Sequence, residues 1–108
     1  MNYLERVNME LQGININDEV LTVYLLENGI LDPMVEYQPS EKRSILKTVV
    51  NVLESLANDP NLMKNYKLDD ASVTQFHRNL SNRIETLKRE ISNMDMQNEN
   101  RQWSMLFK

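Results

Sequence analysis

A chain of 108 residues is enough for one domain around one core, and 41% hydrophobic with 26% charged residues is ordinary globular usage, which excludes wholesale disorder and a fibrous repeat. The 16 acids against 12 bases give a net charge of -4, with no stretch that concentrates Lys and Arg, so nonspecific DNA binding through neutralised phosphates is not expected. The absence of cysteine removes disulfides, thiolate nucleophiles and sulfur metal sites together.

Met1, Asn2, Tyr3, Leu4, Glu5 and Arg6 lack the basic start and apolar run of a signal peptide, so no export is expected. No apolar run approaches the roughly 20 residues that cross a bilayer. A soluble chain without a membrane partner is the expectation. Leu4, Val7 and Leu11 recur at helical spacing and Gly13 follows with the permissive backbone of a C-terminal cap, which predicts a first helix near residues 2–12.

Asn17 precedes Asp18 and Glu19, a cap residue and two acids suited to the positive end of a helix dipole, and Ile16 stands where it can staple to Leu21. A second helix should run from there to Gly29, with Val20, Leu21, Tyr24 and Leu25 on one face. Its β-branched residues Val20, Thr22 and Val23 leave a strand as the competing reading. The stretch ILDPMVEYQPS holds two prolines and predicts an extended connection from which Met34, Val35 and Tyr37 can reach the core.

Ser40 is the expected cap of a third helix, in which Ile45, Leu46, Val49, Val50, Leu53 and Leu56 form a stripe broad enough for a central element. It should stop at Asn58, Asp59 and Pro60. Asp59 followed by Pro60 then favours one short turn through NLMKNY, and residues 67–70 should cross, exposed, to the last helix. That helix carries the clearest periodicity: Val73, Leu80, Leu87 and Met94 recur every seven residues, flanked by Phe76, Ile84 and Ile91. Over residues 71–95 it would span on the order of 37 Å, more than its neighbours can cover. MDMQNENRQ reads as a polar linker and WSMLFK as an apolar tip.

The expectation is therefore an all-α fold: a small helical bundle of about four helices with a long C-terminal helix and an extended C-terminal tail. Residues 1–94 form the helical domain and 95–108 the polar linker and apolar tail. No catalytic, cofactor-binding or metal-ligating group emerges. His77 has no converging ligands at helical spacing, the acid pairs Asp18 with Glu19 and Asp69 with Asp70 stand where helix N-termini favour negative charge, and two isolated glycines cannot make a phosphate loop. An enzyme is not expected. A helix-turn-helix reader is disfavoured because the second helix offers Thr22, Tyr24 and acids toward a groove. Protein partners fit better. The residues expected to meet them are Leu87, Ile91 and Met94 on the long stripe, and Trp103, Met105, Leu106 and Phe107 in the tip.

Residues 45–91 resemble a pattern found in the head-to-tail connector, or head-completion, proteins of tailed bacteriophages and prophages. An apolar helix closes in Leu53, Glu54, Ser55, Leu56, Ala57, Asn58 and Asp59, a short acidic and hydroxyl-bearing loop follows at residues 67–73, and an amphipathic helix then alternates Leu with Arg and Lys. Residues 1–44 lie outside the pattern. The resemblance implies a structural subunit of a ring, usually a dodecamer, that docks on the portal protein and meets tail-side connector proteins. DNA would pass through the ring without specific binding. The implied place is the capsid-tail junction of the virion, assembled in the bacterial host cytoplasm. A small interaction or regulatory protein, of antitoxin or adaptor type, is the alternative.

Overall fold

The computed structural model describes residues 1–11, 14–59 and 70–106, with the side chains of the last helix described over 75–98. Among the described residues four α-helices form the fold: α1 over Tyr3–Leu11, α2 over Asp18–Glu27, α3 over Lys42–Ala57 and α4 over Asp70–Leu106. A 3₁₀ turn over Pro39–Glu41 leads into α3. Among the described residues there is no strand, only an isolated bridge between Asn2 and Glu36. The expected all-α bundle with a long final helix is the fold.

Helix starts follow local chemistry. Asn2 and Glu5 make a reciprocal cap on α1: the Asn2 carboxamide oxygen accepts from the Glu5 amide at 2.8 Å, and the Glu5 carboxylate accepts from the Asn2 amide at 3.0 Å. Asn17 caps α2 as its sequence position suggests, accepting from the Glu19 amide at 2.7 Å. Gly29 ends α2 with φ of 91°, a conformation that a Cβ would oppose. Ser40 does not cap α3. It lies inside the 3₁₀ turn, because Pro39 with its fixed φ starts helical winding one residue earlier, and Glu41 takes the cap position without a side-chain hydrogen bond.

The central element is α3, whose Ile45, Leu46, Val49, Val50, Val52, Leu53 and Leu56 are all buried. Against it lie Tyr3, Val7 and Leu11 of α1, Leu21 and Leu25 of α2, and Leu80 and Leu87 of α4. Each such side chain, removed from water, contributes about 1.5–3 kcal/mol. Helices α3 and α4 run antiparallel. Arg43, near the start of α3, pairs with Asp95 late in α4, while Ala57 and Asn58 at its end line one cleft with His77 and Ser81.

Two expectations need correction. The connection after Gly29 hydrogen-bonds along the N-terminus, with Tyr3 N–H donating to the Val35 carbonyl and Tyr37 N–H to the Met1 carbonyl, at 3.2 and 2.8 Å. This anchoring turns Met34 and Val35 outward, and of the three expected core contributors only Tyr37 packs on the core. Residues 95–106 are not an extended linker and tail: α4 continues through them to Leu106. MDMQNENRQ contains neither Gly nor Pro, and its two Met, two Gln, one Glu and one Arg outnumber the weaker helix formers, two Asn and one Asp, so nothing in it breaks a helix already under way. Gly13, the turn through NLMKNY and the crossing at 67–69 lie outside the described residues.

Candidate functional site

The surface that distinguishes this molecule is on α2. At about 100° per residue, Leu21 and Leu25 form one stripe and Val23 stands opposite them. The inner stripe is sealed, with Leu21 and Leu25 at 0% exposure against the core, and Asn28 fixes the helix end to α3 by donating to the Asn51 side chain at 2.9 Å. The outer side is apolar as well: Val20, Val23 and Leu26 are exposed at 43%, 53% and 54%. Three large apolar side chains left in water on the side away from the core make that side a candidate to be covered by a partner.

Glu19 and Glu27 share that outer side with Val20, Val23 and Leu26, which gives the apolar face an acidic border. Asp18 adds a third acid in the first turn. Glu10, Glu36, Glu54, Glu90 and Asp95 are ion-paired, and none of them is on α2. Leu31, at 83% exposure, follows Gly29, and with Val35 it lines a shallow cleft of about 240 Å³. A second cleft, about 200 Å³ and lined by Ile16, Val20, Tyr24, Val52 and Leu56, opens on the other flank of α2. The apolar area thus spreads beyond one row of side chains, the composition expected of an interaction surface.

The residues expected from sequence to meet a partner divide. Leu87 has 0% exposure and belongs to the molecule's own core, facing α3, so it cannot offer a docking contact in this fold. Ile91 and Met94 are half-buried and pack on the same core. Trp103, Met105 and Leu106 lie on the helical continuation of α4, their side chains outside the described residues, as is Phe107 entirely. His77 is exposed, and among the described residues no group of acids and histidines could hold a metal ion. Among those residues no helix is long and apolar enough to cross a membrane.

Sequence reading missed two features. The first is the outer face of α2: Val20, expected on the inner face with Leu21 and Leu25, is exposed instead, and its spacing of three to Val23 and Leu26 is the signal that could have found the face. The second is an ionic brace. Arg6, buried at 7% exposure, donates to Glu10 at 2.8 Å, the other Glu10 oxygen accepts from Arg83 of α4 at 2.5 Å, and the Arg6 guanidinium lies 5.3 Å from the Tyr37 ring centre. Tyr37 in turn meets Tyr3 edge to face at 5.7 Å. Only its Arg6–Glu10 half stands at the local i,i+4 spacing of a helix; Arg83 lies 77 positions from Arg6, and no local pattern announces that link.

Along α3 and α4 the pairs Lys42–Glu90 at 3.1 Å, Arg43–Asp95 at 2.6 Å and Lys88–Glu54 at 3.4 Å border the apolar seam. Arg43 grips both Asp95 oxygens, and that hydrogen-bonded contact holds the Asp95 carboxyl below the usual carboxylate range. It is the last link between α4 and the bundle in the described ion pairs, and the helix runs 11 residues further, about 16 Å. No protein-family model matches the chain, and no characterised protein or solved structure matches it either.

Proposed function

We propose that the protein is a structural assembly subunit of the head-to-tail connector type, forming a ring that docks on a portal protein and receives the tail side. The observation that carries the reading is the outer face of α2: Val20, Val23 and Leu26, exposed on a rigid helix whose inner stripe is already buried. An apolar helix face held this firmly pays little ordering cost on association, so the area it buries converts efficiently into affinity. The overhang of α4 past Asp95 gives the same chain a second surface at its far end, as a subunit with neighbours on two sides requires. The likeness of residues 45–91 to connector proteins supplies the place: the capsid-tail junction of a virion, with the portal, tail-side connector proteins and further copies as partners. The excess of 16 acids over 12 bases suits a ring through which DNA slides without being held.

Sequencing the few kilobases on either side of the gene tests this reading. Portal and major-capsid reading frames are expected beside it, and the purified protein should then bind the purified portal as a ring visible by electron microscopy. Regulatory or metabolic neighbours, together with no binding to a portal, would overturn the connector role and leave an adaptor whose docking surface is the same α2 face.

A further inference from the structure

We infer that the outer face of α2 takes a basic amphipathic helix of a partner protein, one whose apolar stripe is bordered by Lys or Arg. This deepens the docking reading above and rests on that face being its surface. Two segregations along the chain coincide there. Residues 1–41 hold eight acids and a single base, Arg6, which is buried against Glu10, whereas residues 42–108 hold eleven bases and eight acids. Of the nine large hydrophobic side chains exposed among the described residues, eight belong to residues 1–35. The acidic part of the molecule is therefore also the part that leaves apolar side chains in water, and its complement is a segment both apolar and basic.

On α2 the match is local. Val20, Val23 and Leu26 form a row about 9 Å long, and the exposed Glu19 and Glu27 stand at its two ends, about 12 Å apart along the axis. A helix laid along this row sets apolar side chains against it at three- and four-residue spacing, and bases about two turns apart on that helix meet the two acids. Val20 is also a wall of the cleft of about 200 Å³ between α2 and α3, where Ile16, Tyr24 and Leu56 leave room for a large apolar anchor of the partner. Charge disfavours the other occupants. Two α2 faces paired across a two-fold axis would set the acids of one copy against those of the other, with no base on either helix. An anionic membrane surface would be repelled by the same acids.

Two synthetic helical peptides of about 18 residues test this, one with Leu along its stripe and Lys on both borders, the other with Glu in place of every Lys. Each is titrated into the full chain, with binding read by fluorescence anisotropy of the labelled peptide and its place by amide NMR shifts. The lysine peptide is expected to bind, to shift the amides of residues 19–27 most, and to lose at least about tenfold in affinity to Val23→Ser with Leu26→Ser. The exposed pair Glu19→Gln with Glu27→Gln should weaken it about three- to tenfold at about 50 mM salt and much less at about 500 mM. The glutamate peptide should bind at least about tenfold more weakly than the lysine peptide. Equal binding of the two peptides, or an affinity indifferent to the Gln pair at low salt, overturns the inference and leaves α2 a docking face for a partner of other chemistry. Shifts centred away from α2, or no binding of the lysine peptide at millimolar concentration, overturn it as well. So does self-association of the free chain that is abolished by Val23→Ser with Leu26→Ser, which gives the face to a second copy. The connector reading stands or falls separately, with the neighbouring genes and the portal.

Discussion

Helices α2 and α4 are both apolar on a regular face, yet they use it differently. Between Leu80 and Asp95, α4 lays its stripe against α3 and borders it with Lys42–Glu90 and Arg43–Asp95, so the stripe that reads as an interface is interior. Helix α2 seals Leu21 and Leu25 inside and still presents Val20, Val23 and Leu26 to water. Periodicity tells which side chains share a face. Whether that face is core or surface depends on which element the chain brings over it, and among the described residues α1 and α3 bury the Leu21 and Leu25 side of α2 and leave Val20, Val23 and Leu26 exposed.

This contrast can be broken or sharpened by substitution. Leu87→Ala removes a fully buried side chain from the α3–α4 seam and should cost about 2–5 kcal/mol in urea unfolding, the largest single effect. A smaller loss would mean that the seam collapses around the cavity. Next comes Glu10→Ala, which strands the buried Arg6 guanidinium and frees Arg83, with an expected cost of about 2 kcal/mol. The variant Arg6→Met, which removes the buried charge as well, should recover part of that loss in the Glu10→Ala background.

Gly29→Ala should cost about 1 kcal/mol in thermal unfolding, because φ of 91° strains any Cβ although nothing lies close enough to clash with it. The smallest effect belongs to Asp95. Its folded-state pKa lies below its unfolded value, so the Arg43 contact contributes above the unfolded-state pKa and fades as the pH falls through the folded one. A carboxyl-carbon NMR titration should give a midpoint below the ordinary carboxylate range, moving up in Arg43→Gln. An unchanged midpoint would show that the bidentate contact does not persist in solution.

The four helices, the central place of α3 and the cap at Asn17 were legible because each depends on neighbours within one or two turns. The extent of α4 was misread for an equally local reason. Polar composition over residues 95–102 was taken as a linker, although Met, Gln, Glu and Arg sustain a helix as well as they serve a loop. Met34 and Val35 point outward because backbone bonds to the N-terminus hold the connection in place, and such pairing over more than 30 residues leaves no mark on local sequence. The candidate site was half legible. The threefold spacing of Val20, Val23 and Leu26 is plain in the chain, but its exposure follows only once Leu21 and Leu25 are seen to face α3.

The most direct test is a matched pair of double variants in α2, Leu21→Ala with Leu25→Ala against Val23→Ala with Leu26→Ala, compared by urea unfolding of monomeric protein. The inner pair should lose more than about 4 kcal/mol or fail to fold, while the outer pair should stay within about 1 kcal/mol of the wild type. Equal and large losses in both would show that the outer side is covered by the chain itself, and that α2 offers no docking face.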